Sequence, residues 1–336
     1  MLGVIDRFLS LWIFLAIFLG TMLGILFPNI QEFWAIFELD NLNLLLLLCL
    51  ILMMYPPLAK VEYSKISKIF ESKKTLALSL FLNWIVGPSL MFALSYLFLS
   101  SSPLYMQGLI IIGLARCIAM VVVWSDLSGG NREYTSALVA LNSIFQILFF
   151  STLAYFFLEI APSFLGISMQ KTQIDMGEIS KNTLIYLGIP FFLGFFSRVI
   201  VIKLKGKEFL QNSFLPKISP ITLITLLFTI VMMCSYKASQ VLSLPFDTLK
   251  IALPLALYFA IMFFLTWALC GKFSLDYPTK CSLSFTSSGN NFELAIAICI
   301  ASFGINSPQA FVAVIGPLLE VPILVLLVKW ALRRKI

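Results

Sequence analysis

Polar positions in this chain come in clusters that cut an otherwise apolar sequence into ten segments, at about 8–27, 42–58, 74–99, 104–124, 134–158, 181–200, 218–236, 249–270, 279–303 and 308–331. Most are near 20 residues, the length at which a helix rising ~1.5 Å per residue crosses a ~30 Å hydrocarbon core. The pattern therefore predicts an all-α integral membrane protein with ten transmembrane helices. The first segment follows Arg7 and is longer than the apolar region of a secretory signal. No small-x-small site precedes Pro28, so it reads as a first span.

A shift of 173 residues lays segments one to five almost onto segments six to ten, with local identities such as Ala137/Ala310, Val139/Val312 and Ala140/Ala313. Five spans are an odd number, so a second copy starts from the opposite face of the membrane. The expected organisation is two inverted five-helix repeats, 1–165 and 175–336.

Composition agrees with the pattern. Of 336 residues, 60% are hydrophobic and 12% charged, about half the roughly 25% charged of soluble domains. A soluble globule is excluded. The net charge of +7 comes from 23 Lys and Arg against 16 Asp and Glu. With the N-terminus in the cytoplasm, eighteen of these cations fall in inner loops and four in outer ones (Lys171, Lys181, Lys237 and Lys250). The first outer loop carries Glu32, Glu38 and Asp40. This positive-inside bias places both termini in the cytoplasm and accounts for the basic charge by the lipid bilayer, with no nucleic acid.

The chain has no histidine, and its six cysteines (Cys49, Cys117, Cys234, Cys270, Cys281 and Cys299) form no C-x-x-C pair. Imidazole zinc sites, a histidine base and a disulfide framework are thereby disfavoured. Without a nucleotide loop or a metal motif, neither enzyme activity nor a cofactor is expected.

Candidate chemistry concentrates in spans four and nine, which correspond in the repeat. Span nine holds Ser287-Ser288-Gly289-Asn290-Asn291 in an apolar stretch, a cluster that favours local unwinding. Span four offers Gly108 and Gly113 ahead of Arg116-Cys117, and at the repeat offset Cys117 falls opposite Asn290. Arg116, Glu293 and Glu320 lie within about 5 Å of their span midpoints, and intramembrane charges face protein or water. An Arg–carboxylate pair that only locks helices together is one reading of this set. A carboxyl that exchanges a proton is the other, with Glu293 first and Glu320, beside Pro317 and Pro322, second. Cys117 follows the cation directly, so the guanidinium is expected to act on its thiol, and sulfur suits soft metals and metalloids. Asn142 and Gln146, one turn apart on span five, read as helix–helix glue or as accessory substrate contacts, as does Ser288 at the break.

Several stretches carry a family resemblance. GLARCIAMVVVW at Gly113–Trp124 and REYTSALVALNSIFQ at Arg132–Gln146 resemble the arsenical resistance-3 family of arsenite efflux permeases. So do MYPPLAKV at Met54–Val61, LNWIVGPSLMFAL at Leu82–Leu94, NNFELAIA at Asn290–Ala297 and EVPILV at Glu320–Val325. The resemblance spans nearly the whole chain and implies the bile/arsenite/riboflavin transporter superfamily. Its fold has panel and core domains, with broken helices four and nine crossing. It implies Cys117 as the metalloid-site cysteine and Glu293 as the proton-linked acid, and Arg116 and Glu320 match positions the family keeps. Arg116, Asn290 and Asn291 are expected around the metalloid with Cys117, and Glu320 with Glu293 in proton coupling. The implied activity is secondary active extrusion of arsenite, with antimonite as a related substrate, by proton antiport from a multi-pass inner membrane location. Ser125, Asn131 and Asn291 depart from the family pattern and bear on substrate range. A sodium-coupled organic-anion symporter of the same fold is the alternative, and a uniport metalloid channel the next.

Overall fold

The computed structural model describes residues 9–39, 42–65, 67, 70, 72–118, 120–166, 176–236, 245–305 and 307–335. Arg7, Asp40, Lys68, Lys171 and Lys237, used in the charge count, lie outside the described residues. The fold is helical throughout, apart from a two-residue hairpin of β1 (Glu38–Leu39) and β2 (Leu42–Asn43).

The helices in chain order are α1 (Leu9–Leu26), α2 (Ile30–Ala35), α3 (Leu44–Lys60), α4 (Lys73–Leu99), α5 (Pro103–Leu114), α6 (Met120–Leu127) and α7 (Arg132–Phe164). They continue as α8 (176–205), α9 (207–236), α10 (Pro245–Lys272), α11 (Tyr277–Ser288), α12 (Phe292–Phe303) and α13 (Pro308–Leu332). Gly206, at φ 85°, separates α8 from α9. Their starts follow local chemistry. Asn43, Asn131, Asn291 and Ser307 each accept a backbone N–H three residues on, the N-cap bond. Pro103, Pro278 and Pro308 occupy first-turn positions, where a missing N–H costs nothing.

Among the described residues, five helical stretches are long and apolar enough to cross a membrane: Lys73–Leu99, Arg132–Phe164, Gly177–Ser235, Thr248–Lys272 and Pro308–Leu332. Phe14, Phe18, Phe192, Phe196 and Leu204 stand exposed on the outside of the bundle, the arrangement of a protein solvated by lipid tails. The chain is a multi-pass membrane protein.

The helices pack in two groups. One joins α1, α3, α8 and α9; the other joins α4, α5, α7, α10, α11, α12 and α13, with α6 against α7 and α11. Both groups draw on the two halves of the chain. Small residues permit the close crossings inside them. A Cβ on Gly194 of α8 would sit 2.8 Å from the Ala59 nitrogen of α3, and one on Gly108 of α5 would sit 2.9 Å from the Gln309 carbonyl oxygen of α13. Gly108 therefore serves helix packing, and the helix runs through it and Gly113 to end at Leu114.

A crossing of two broken helices

The apolar segments 104–124 and 279–303 are each interrupted, at 115–118 after α5 and at 289–291 between α11 and α12. The two extended linkers run antiparallel. Cys117 N donates to the Gly289 carbonyl at 3.4 Å, and Asn291 N donates to the Ala115 carbonyl at 2.9 Å. These bonds frame a single β-bridge between Arg116 and Asn290. The residue opposite Asn290 is thus Arg116, not Cys117, so the local register is one residue longer than the overlay of whole segments.

Helix ends without backbone partners converge here, and the side chains satisfy them. Asn290 Nδ2 donates to the Ile112 carbonyl at 2.6 Å and to the Ala115 carbonyl at 3.3 Å, closing the C-terminus of α5. Asn291 Oδ1 accepts Leu294 N at 3.0 Å and opens α12. Arg116 is fully buried. Its Nη2 donates to the Gly113 carbonyl, and its Nη1 to Tyr258 Oη at 2.8 Å and the Ser287 carbonyl at 3.4 Å. A cation facing the carbonyl ends of α5 and α11 complements both helix dipoles. Gly87 of α4 makes the room: a Cβ there would lie 2.7 Å from Arg116 Nη1.

This corrects one expectation about the charge. Among the described residues Arg116 forms no ion pair with Glu293 or Glu320; its Nη1 and Nη2 donate instead to two carbonyls and a hydroxyl. Nor does sequence adjacency set the guanidinium beside the Cys117 thiol. Chain adjacency misled here, since successive residues of an extended strand point to opposite sides.

Cys117 is 3% exposed and Glu320 5%. A Cβ added to Gly289 would lie 3.1 Å from Cys117 Cβ and 3.4 Å from Glu320 Oε1, so the two groups flank the same glycine. Glu320 Oε1 accepts Asn290 N at 3.3 Å. Glu293, in the first turn of α12, lines a cavity of about 970 Å³ between the two helix groups. Ile118, Val139 and Thr222 share its wall, as do the charged residues Lys60, Glu62, Asp126, Arg132 and Arg198. Cys117 is not among the lining residues.

The accessory candidates make contacts within the bundle. Asn142 Oδ1 accepts Trp84 Nε1 at 3.2 Å, tying α7 to α4. Gln146 engages the backbone of Arg116 with both ends of its amide. Ser288 Oγ donates back to the Ser284 carbonyl of its own helix at 2.7 Å, so its hydroxyl proton is committed there. Buried and without hydrogen-bond partners around the crossing are Arg116 Nε, Asn142 Nδ2, Asn290 Oδ1 and Asn291 Nδ2. Buried polar atoms are rarely left so, and they mark where a polar ligand or water would be taken up. Sequence reasoning missed the roles of Gly87 and Tyr258. A tyrosine inside an apolar span was the available signal for Tyr258, because a buried hydroxyl seeks a partner.

Residues 47–244 match the profile of the Sodium Bile acid symporter family. The chain is 46% identical over 327 residues to the Arsenical-resistance protein Acr3 of Corynebacterium glutamicum, covering 97% of this chain and 88% of that protein. It is 30% identical over 338 residues to the Arsenical-resistance protein Acr3 of Alkaliphilus metalliredigens, covering 98% and 92%. An uncharacterized transporter of Synechocystis, slr0944, is 31% identical over 347 residues, covering 98% and 88%.

Proposed function

We propose that this chain, which belongs to the arsenical-resistance Acr3 proteins of the Sodium Bile acid symporter family, carries arsenite out of the cytoplasm in exchange for protons, with antimonite as a second substrate. The observation that carries the reading is the crossing itself. A buried thiol and the Glu320 carboxyl flank Gly289 there beside unpartnered amide atoms, and Glu293, two residues beyond Asn291, opens into a cavity.

The chemistry follows from these groups. Arsenite is a small trihydroxy species, neutral at cytoplasmic pH, with a soft arsenic centre. Three thiols would hold it too tightly for release; one sulfur with amide contacts to its hydroxyls gives a site that also lets go. Cys117 takes the metalloid, Asn290 Oδ1 and Asn291 Nδ2 take its hydroxyls, and Arg116 holds the two linkers in place. Glu293 releases its proton inward as substrate binds and regains one from the more acidic outside as substrate leaves. Glu320 shares the proton-coupled role. Alternating access moves the two helix groups about the crossing.

The ten-span inverted repeat, 1–165 against 175–336, is supported by the limits of α4, α5 and α6, which recur at nearly the same offset in α10, α11 and α12, and by the antiparallel sense of the crossing linkers. Lys60, Arg132 and Arg198, which line the cavity, belong to the loops assigned inward. That supports a cytoplasm-facing state with both termini inside the plasma membrane.

Everted membrane vesicles with an imposed pH gradient test the reading. Arsenite uptake is expected to follow the gradient in wild type and to collapse in Glu293→Gln. Normal gradient-driven uptake in that variant would remove Glu293 from the cycle. Cells carrying Cys117→Ala are expected to lose arsenite resistance.

A further inference from the structure

The two linkers are held by side chains in matching places. Arg116 N donates to Gln146 Oε1 at 3.0 Å, and Asn290 N donates to Glu320 Oε1 at 3.3 Å. Each acceptor lies 30 residues beyond the linker residue it holds. The two linker residues are themselves bridge partners. Gln146 of α7 and Glu320 of α13 are thus equivalent positions of the two halves, an amide in one and a carboxyl in the other.

The amide does more than accept. Gln146 Nε2 also donates to the Arg116 carbonyl at 3.0 Å, so one side chain closes both backbone groups of Arg116, as a neighbouring strand would. The bonds framing the Arg116–Asn290 bridge run between the flanking residues, Cys117 to Gly289 and Asn291 to Ala115. In such a pair, the N–H and C=O of the two central residues face outward, each pair to its own flank. The Asn290 carbonyl therefore faces the flank from which Glu320 accepts the Asn290 N–H. A carboxylate has no donor for it, whereas a carboxylic acid does.

We propose that Gln146 and Glu320 are paired positioning residues of the transport site: Gln146 clamps the cysteine-bearing linker permanently, and Glu320 clamps the asparagine-bearing linker fully only when it carries a proton. Protonation of Glu320 then completes the Asn290 clamp, and loss of the proton frees one side of that linker next to Cys117. The titratable groups facing Glu320 are Glu293 of α12 and Cys117 of the first linker. Tyr258 of α10 is turned to Arg116. The inference rests on the transport reading above and assigns to it the element that couples proton to backbone.

The test uses the full-length protein in everted vesicles, with initial rates of arsenite uptake measured against pH for wild type, Gln146→Glu, Gln146→Leu and Glu320→Gln. Folded protein in each preparation is normalised by monodisperse size-exclusion recovery. In Gln146→Leu, both backbone groups of Arg116 lose their partner, and Vmax/KM for arsenite is expected to fall about a hundredfold. Gln146→Glu is nearly isosteric and turns the permanent clamp into a protonation-dependent one. Its rate should fall with rising pH on a limb that wild type lacks. Glu320→Gln fixes the second clamp closed and should flatten the pH dependence of arsenite KM. A Gln146→Glu profile superimposable on wild type, or a Gln146→Leu variant within about threefold of wild-type Vmax/KM, would overturn the clamp. Absence of arsenite uptake in wild type would instead overturn the transport reading, which separates the two failures.

Discussion

Around 115–118 the linker carries a guanidinium and a thiol between two fully apolar helix ends. Around 289–291 it carries a glycine and two asparagines after a helix rich in serine and threonine. Both linkers leave the same backbone groups unpaired, yet they solve the problem differently. The second caps helices with short amides: Asn291 opens its own helix α12, and Asn290 closes α5 across the crossing. The first uses one long cation that reaches the carbonyls of α5 and α11 and a tyrosine on α10. Glycine and short amides are turn formers in their own right, so they announce a break in sequence. A long cation acts at a distance, so the same break is nearly silent.

Experiments that exchange one solution for the other sharpen this contrast. The largest effect is expected from Arg116→Lys. A single ammonium cannot span the fork that joins two carbonyls and Tyr258, and the buried groups left unpaired should cost about 2–3 kcal/mol. Thermal unfolding of the purified protein in detergent reads this directly, and a wild-type melting temperature would contradict it. Next comes Gly87→Ala, whose Cβ would sit 2.7 Å from Arg116 Nη1 and 3.1 Å from Tyr258 Oη. Overpacking there should cost about 1–3 kcal/mol. Combined with Arg116→Lys the penalty should shrink, because the obstructed group is gone; strict additivity would show that Gly87 serves something else.

Smaller effects are expected at the second linker. Asn291→Ala removes the N-cap of α12 and should cost about 1 kcal/mol, measured in the same melts. Ser288→Ala removes a hydroxyl that bonds carbonyls already committed to its own helix, and should stay within about 0.5 kcal/mol. If Ser288→Ala proved costlier than Asn291→Ala, the hydroxyl would have a partner beyond its own helix.

Much of the site was legible before any coordinates. The run Ser287–Asn291 marked the second break, and Arg116, Glu293 and Glu320 stood out because charges near a span centre need a reason. Which charge met which was not legible. Arg116 reads in sequence as the partner of Cys117 or of a glutamate. In space it turns to carbonyls, because the strand alternation at 115–118 sends neighbouring side chains to opposite sides. Gly87 was invisible for a related reason: it matters only through a contact on another helix.

The chain by itself determined that it lives in a membrane, where its apolar segments lie, and which of its intramembrane residues are titratable or bear sulfur. Those properties belong to composition, period and residue chemistry. Tertiary structure alone decided the register of the crossing, the partners of the buried cation, and the side chains that hold each linker. Such facts depend on long-range approach between segments far apart in sequence, which no local pattern encodes.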